Sequence, residues 1–177
     1  MAEPPSLTLA IFDFDGTLCR LATDYAALRA ELARLAVEAG IEPGERLLEL
    51  LQQLEADPAV GSRATETVIA AERAGLTGAR ALERGVSLYE SFSRNGAHVA
   101  IASHNSAEVI EAFLATHTLP HPDEIFDRRR LGEAKERAEA LVELARALAP
   151  ERIVVVGDSE SDRLLARKLE AIFIAAE

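Results

Sequence analysis

The sequence predicts an α/β fold, a three-layer Rossmann-like core around a parallel sheet, with an all-helical segment inserted into it. Short apolar runs alternate with segments of helical periodicity, which is typical of strand–helix–strand units with right-handed crossovers. Three runs, at 7–12, 98–102 and 153–156, are almost continuously apolar. Parallel strands that are covered on both faces have this composition, so we expect these three runs to belong to one sheet.

The interval between the first two runs is too long for a simple crossover. Residues 13–97 separate them, whereas a parallel crossover needs only about a dozen residues. The helix expected over 79–95 is sufficient for the return to the sheet. The surplus therefore predicts a helical cap at 20–78, and it leaves 1–19 and 79–177 for the core.

Local signals define the remaining elements. Within the cap, leucines recur at helical spacing, and clusters of Gly and Pro separate three helices. Asn105 and Glu108 are spaced as in a capping box, and the arginines at 128–130 are expected in a solvated loop. Two further short strands are expected at 125–126 and 171–175. The other predicted helices cover 24–39, 45–55, 63–74, 107–116, 133–147 and a stretch that ends near 169.

The composition argues against several classes of function. The chain has 177 residues, of which 49% are hydrophobic and 28% charged, as in globular proteins. Its net charge of −11 argues against a broad surface for nucleic acid or for an anionic membrane. We expect no secretory signal, because the first residues lack a basic segment and a long apolar segment, and no spanning helix, because no apolar run reaches about eighteen residues. The single cysteine, Cys19, cannot form an internal disulfide, so we expect a buried thiol and a cytoplasmic protein.

Acidic and hydroxyl side chains follow each of the three apolar runs. Asp13 and Asp15 follow the first, Ser103 follows the second, and Asp158 and Asp162 follow the third. Because the carboxyl ends of parallel strands meet at one edge of a sheet, we expect these groups to lie close together. Carboxylate oxygens are ligands that suit Mg²⁺, and the ion would also offset their mutual repulsion. The sequence therefore predicts a magnesium site at this edge.

A lysine is expected to add positive charge at the same edge. The chain contains only two lysines, Lys135 and Lys168. Lys135 lies near the start of the helix that precedes the third apolar run, and that end of the helix faces the edge with the acids. Lys168 comes after the last acidic residue and is expected on the surface.

The four groups, in this order and spacing, resemble the motifs of the haloacid dehalogenase superfamily of phosphohydrolases. The resemblance spans 7–175, and an insert between the first and second motifs is the family's common cap position. The matching residues, motif by motif, are Asp13-Phe-Asp15-Gly16-Thr17, then Ile101-Ala-Ser103, then Lys135, then Gly157-Asp158-Ser-Glu-Ser-Asp162.

This resemblance implies a magnesium-dependent phosphatase that hydrolyses a small phosphorylated metabolite, similar to phosphoglycolate phosphatases. Asp13 would attack phosphorus to give an aspartyl-phosphate, and Asp15 would act as general acid and then as general base. Magnesium would be held by Asp13, by the backbone carbonyl of Asp15 and by Asp158. The residues that would bind the phosphoryl oxygens are Gly16, Thr17, Ser103, His104 and Lys135, with Asp162 and Asn105 in support.

Two other functions use similar residues. A phosphomutase of the same superfamily has the same acids and needs a cap that keeps water out. A non-catalytic phosphate-binding signalling module, such as a receiver domain, also combines acids, a hydroxyl and a lysine. It lacks the large insert, however, and its phosphorylated aspartate is not on the first strand. A halide-releasing enzyme is disfavoured, because Asp15 suits a leaving oxygen that needs a proton.

Overall fold

A computed structural model of the protein describes residues 7–132, 135 and 139–176. The chain divides into two compact units. One unit contains the chain up to Arg20 and from Arg80 onwards, and the other is Leu21–Ala79. None of the described helices is both long enough and apolar enough to cross a membrane.

The described part of the chain contains both strands and helices. In chain order the strands are β1 (Thr8–Phe12), β2 (Cys19–Arg20), β3 (Arg80–Ala81), β4 (His98–Ala102), β5 (Glu124–Phe126), β6 (Arg152–Gly157) and β7 (Ile172–Ala175). The helices are α1 (Tyr25–Glu38), α2 (Leu47–Glu55), α3 (Gly61–Leu76), α4 (Glu83–Arg94), α5 (Ala107–Thr116), α6 (Arg128–Leu131), α7 (Glu139–Leu148) and α8 (Glu160–Lys168).

Five strands form one parallel sheet in the order β5-β4-β1-β6-β7. The three apolar runs of the sequence are its central strands, which confirms the predicted Rossmann-like core. Phe12 at the end of β1 is paired with Ile101 of β4 and with Val156 of β6. The carboxyl ends of these three strands therefore lie level with one another at one edge of the sheet.

Helices cover both faces of the sheet, because successive side chains of each strand point to opposite faces. On one face, Leu9 and Ile11 belong to a buried cluster that includes Leu141 of α7 and Leu165 of α8. On the other face, the ring of Phe12 meets Tyr89 of α4 edge to face, with centroids 5.3 Å apart. The apolar residues of β1 are thus buried between two helical layers, as the nearly continuous apolar run predicts.

A small two-stranded ribbon lies where the chain leaves the first unit and where it returns. Cys19 of β2 pairs with Ala81 of β3, and Arg20 pairs with Arg80, in antiparallel register. This ribbon was not predicted from the sequence, because two residues carry no readable periodicity. The ribbon therefore pairs the segment that leads into residues 21–79 with the segment that leads out of them. Both segments lie next to the loop that follows β1.

The second unit consists of α1, α2 and α3 around its own apolar core. Leu32, Leu50, Leu54 and Ala64 are fully buried in this core. The predicted cap of α1 is confirmed, since the Asp24 carboxylate accepts a hydrogen bond from the backbone N–H of Ala27 at 2.9 Å. Helix propensity and leucine spacing thus account for this unit without any strand.

Two local predictions are wrong. The first turn of α5 has Ser106 rather than Asn105 as its cap residue, and no side chain caps it. The arginines expected in a loop form helix α6 instead, because the Asp127 carboxylate accepts hydrogen bonds from the N–H groups of Arg129 and Arg130. In this helix Arg128 is only 5% exposed, so it is not the solvated residue that was expected. Of the helix predicted at 133–147, residues 133, 134 and 136–138 lie outside the described residues, and the part from Glu139 is α7.

Candidate active site

The predicted groups converge at the carboxyl edge of the sheet. Asp13 continues the ladder beyond β1, since its backbone N–H donates to the Val156 carbonyl at 2.9 Å. Ser103 does the same beyond β4, where its N–H donates to the Phe126 carbonyl at 2.9 Å. Both residues are held by the sheet and are almost fully buried. The hydrogen bonds of the sheet therefore fix the backbone from which these two side chains extend.

Lys135 joins two of the acids. Its Nζ atom donates to Asp13 Oδ1 in a very short contact and to Asp162 Oδ1 at 2.9 Å. The side chain of Lys135 is 5% exposed, and those of Asp13 and Asp162 are 7% and 2% exposed. A buried ammonium is stable only beside opposite charge, so the lysine and the two acids depend on one another.

Asp162 is fixed by its own helix as well as by the lysine. Its Oδ2 atom accepts hydrogen bonds from the Ser159 hydroxyl at 2.6 Å and from the Ser159 backbone N–H at 3.1 Å. The Ser159 hydroxyl oxygen in turn accepts from the Asp162 N–H at 3.2 Å. This is the capping box at the start of α8 that the spacing of the two residues predicts. Asp162 therefore holds Lys135 in place from a rigid helix terminus.

The loop after β1 makes a tight turn against Asp158. Gly16 has a φ of +93°, and a Cβ atom there would lie 2.3 Å from Asp158 Oδ2. The N–H groups of Gly16 and Thr17 donate to carbonyls within the loop, those of Cys19 at 2.7 Å and Phe14 at 3.2 Å. In the structure both N–H groups thus have carbonyl partners in the loop, and the phosphate-binding role expected of Gly16 and Thr17 stays a prediction.

The remaining predicted residues lie around the same edge with different contacts. The Thr17 hydroxyl donates to Asp13 Oδ2 at 3.4 Å, a long hydrogen bond. His104 is half-buried directly after Ser103. Asp15 is also half-buried, and its backbone forms an isolated bridge with Cys19. Cys19 is a buried free thiol, as expected from the sequence.

Electrostatics at the site follow from burial and from the lysine. Burial raises the pKa of Asp13 to about 6, and the charge of Lys135 acts in the opposite direction. Burial would lower the pKa of Lys135, but the charges of Asp13 and Asp162 outweigh it and raise the pKa. Partial desolvation, and then the charge of Asp162, raise the pKa of Asp158. The site holds more negative charge than one ammonium can balance, so it favours a further cation.

The family follows from a match over most of the chain. The family model of haloacid dehalogenase-like hydrolases matches residues 7–169. The chain belongs to the haloacid dehalogenase-like hydrolase family. The motif resemblance and the prediction of a hydrolase are thereby confirmed. No curated protein sequence shows significant similarity to this hydrolase.

Solved structures share the fold of this haloacid dehalogenase-like hydrolase. A subfamily IA hydrolase of the superfamily from Geobacter sulfurreducens has a TM-score of 0.58 at 18% identity, with coverage of 99% of this chain and 90% of its own. CbbY from Rhodobacter sphaeroides, solved with phosphate, has a TM-score of 0.64 at 18% identity and coverage of 94% and 84%. A CbbY mutant solved with xylulose 1,5-bisphosphate has a TM-score of 0.63 at the same identity and coverage. At this identity the likeness concerns the fold.

The acids of this haloacid dehalogenase-like hydrolase fit a divalent cation. Among the described residues, carboxylate oxygens of Asp13, Asp158 and Asp162 lie within 4.8 Å of one another. Oxygens that share Mg²⁺ at about 2.1 Å each are separated by up to about 4.2 Å, so small side-chain shifts would bring them into range. Both oxygens of Asp162 already accept hydrogen bonds of ordinary length, from Lys135 at 2.9 Å and from Ser159 at 2.6 Å. Asp13 Oδ2, in contrast, accepts a long hydrogen bond of 3.4 Å from Thr17. Asp13 and Asp158 are therefore better suited than Asp162 to bind the ion.

Gly85 supports the site, and its role was not predicted from the sequence. A Cβ atom at this position in the first turn of α4 would lie only 1.8 Å from the Thr17 carbonyl oxygen. Just before it, the Leu82 N–H donates to the Leu18 carbonyl at 2.9 Å. Helix α4 thus supports the loop that carries the acids through direct backbone contact, which only glycine allows. A glycine preceding a valine in a helical stretch gave no signal of this contact.

We expect Gly85→Ala to destabilise the protein. In an ordinary helix position the change stabilises by up to about 1 kcal/mol. Here the new methyl group must push the Thr17 carbonyl away, and overpacking of this kind costs about 1–3 kcal/mol. Urea unfolding of the variant measures the sign. Gly44→Ala is the matched control, because a Cβ atom at Gly44 meets nothing within 4 Å. Equal or greater stability of Gly85→Ala would contradict the contact.

Proposed function

We propose that this hydrolase is a magnesium-dependent phosphatase that releases phosphate from a small phosphorylated metabolite through an aspartyl-phosphate on Asp13. The observation that carries the proposal is the buried Asp13 carboxylate at the carboxyl edge of the sheet, paired with Lys135 and close to Asp158. A carboxylate held beside an ammonium and a cation site can meet a dianionic phosphate that it would otherwise repel. Pairing with Lys135 also favours the ionised form of Asp13, which is the nucleophilic form.

In the first step, Asp13 attacks phosphorus and the bond from phosphorus to the ester oxygen breaks. Asp15 donates its proton to the leaving oxygen, so that an alcohol departs. In the second step, Asp15 takes a proton from water, and the oxygen of that water attacks phosphorus. The bond to Asp13 breaks, inorganic phosphate is released, and both carboxyl groups return to their starting states.

The metal would be held by Asp13, by the backbone carbonyl of Asp15 and by Asp158. When bound, Mg²⁺ supplies positive charge that neutralises the phosphoryl oxygens and orients them for in-line attack. Lys135 and Ser103 bind phosphoryl oxygens from the protein side, and His104 lies beside Ser103 at the same strand end. Asp162 keeps Lys135 directed at Asp13.

The helical unit is proposed to act as the cap and to select the substrate. Three helices inserted directly after the acidic loop support this role, because the insertion position is the common cap position of the family. CbbY is solved with phosphate and, as a mutant, with xylulose 1,5-bisphosphate, which supports a small phosphorylated metabolite as substrate. The buried free thiol of Cys19 supports a reducing, cytoplasmic setting.

The proposal is tested by phosphate release from a panel of phosphorylated sugars and hydroxy acids. We expect turnover of at least one compound with Mg²⁺, and its loss when EDTA removes the ion and its return when Mg²⁺ is restored. Transfer of the phosphoryl group within a sugar phosphate, without release of phosphate, would indicate the phosphomutase instead. Undiminished phosphate release in EDTA would contradict the magnesium dependence.

A further inference from the structure

Asn105 encloses the hydroxyl of Ser103 with two hydrogen bonds. The Ser103 hydroxyl donates to Asn105 Oδ1 at 3.0 Å, and the Asn105 backbone N–H donates to Ser103 Oγ at 3.2 Å. Both residues are buried, at 2% and 7% exposure. Asn105 is not the cap of α5, which begins at Ala107 after Ser106. Its side chain therefore serves the neighbouring serine rather than the helix.

The Ser103 hydroxyl has only one proton to donate, and this limits what it can bind. A serine hydroxyl has one proton to donate and two lone pairs that can accept. In the structure, Asn105 takes the proton and also occupies one lone pair. A phosphate dianion offers only acceptor oxygens, so the second lone pair of Ser103 cannot bind it. Ser103 can bind phosphate only when its proton is released from Asn105.

We propose that Asn105 is a positioning residue whose side-chain amide flips when phosphate binds at Ser103, so that Nδ2 takes the place of Oδ1. With the amide reversed, Nδ2 donates to Ser103 Oγ, and the serine proton is free to point at a phosphoryl oxygen. Ser103 Oγ then accepts from both N–H groups of Asn105 and donates to the phosphate, so all its hydrogen-bonding groups are used. By flipping, an amide can place either an acceptor or a donor at the same position, whereas a carboxylate offers only acceptors and a methyl group offers neither. This inference rests on the proposed phosphatase function.

The experiment compares Asn105→Asp with Asn105→Ala, each with Ser103 intact and with Ser103→Ala. Asp has the same shape as Asn but only accepts, so it retains the serine proton. Ala releases the proton and removes one donor. The measurements are the affinity for inorganic phosphate, by isothermal titration calorimetry, and kcat/KM for 4-nitrophenyl phosphate, with melting temperatures to confirm folding. We expect Asn105→Asp to weaken phosphate binding roughly tenfold more than Asn105→Ala.

The serine background separates this effect from that of the added charge. A carboxylate near phosphate repels it whether or not Ser103 has a hydroxyl, so that part of the loss persists in Ser103→Ala. The part of the loss that arises because the Asn105→Asp carboxylate retains the serine proton is absent in the Ser103→Ala background. The difference in phosphate affinity between the two Asn105 variants therefore becomes smaller in that background. Equal losses for both variants, or a gap that Ser103→Ala leaves unchanged, would overturn the role of Asn105. Absence of ester turnover in the unmodified protein would instead overturn the phosphatase, and the phosphate-binding comparison would still decide on Asn105. If the unmodified protein binds no phosphate, both ideas fail.

Discussion

Asp13→Asn is expected to reduce phosphate release by at least about a thousandfold, the scale on which loss of an essential nucleophile acts in hydrolases. The amide has the same shape as the carboxylate, but it is not a nucleophile and cannot form the aspartyl-phosphate. Lys135 keeps its second partner, Asp162, at 2.9 Å, so the variant should remain folded. The measurement is kcat/KM for the best substrate of the panel, with Mg²⁺ at saturation.

A matched control exists in the other unit of the chain. Asp24 caps helix α1 through its side chain, and Asn caps helices about as well as Asp does. Asp24→Asn should therefore keep full activity and stability. If Asp13→Asn retained a tenth of the activity of the unmodified protein, another group would have to be the nucleophile. Binding of inorganic phosphate by Asp13→Asn would show that the rest of the site is intact.

The core of the fold could be predicted because the signals are local and strong. Each apolar run of the sequence matches a central strand to within one residue at either end, and β4 and α5 begin and end at the predicted residues. The convergence of Asp13, Ser103 and Asp158 then follows from parallel pairing alone, since all three lie beyond the carboxyl ends of strands. The pairing of Lys135 with Asp13 spans 122 residues of sequence, and it was expected only from the direction of one helix.

What the sequence did not reveal depends on particular contacts that periodicity and spacing do not encode. Nothing local to Gly85 indicates that the Thr17 carbonyl lies against it, because that contact forms only when α4 packs beside the acidic loop. The spacing of Asn105 and Glu108 suggested a cap, but the Ser103 hydroxyl competes for the same amide and is only two residues away. Short-range competition of this kind is invisible to a spacing rule.

Lys135→Met is expected to impair both stability and activity, because it removes the cation that separates buried carboxylates. Methionine has a similar length without the charge, so Asp13 and Asp162 would be left buried beside each other without a cation. Breaking one partner of a buried ion pair typically costs about 3–5 kcal/mol, which urea unfolding in EDTA measures. We expect Mg²⁺ to recover part of this loss, since the ion brings positive charge back to Asp13.

The pH dependence of the same variant distinguishes an electrostatic role from simple packing. Lys135 lowers the pKa of Asp13 against the effect of burial, so its removal raises that pKa further. Attack requires the ionised carboxylate, and kcat/KM therefore falls as the pH drops through the pKa of the nucleophile. This fall should occur at higher pH in Lys135→Met. Lys168→Met is the control, because the Lys168 side chain is 37% exposed and its contact with the exposed Glu139 is long, at 3.9 Å. An unshifted profile in Lys135→Met would mean that the lysine fills space without setting the charge of Asp13.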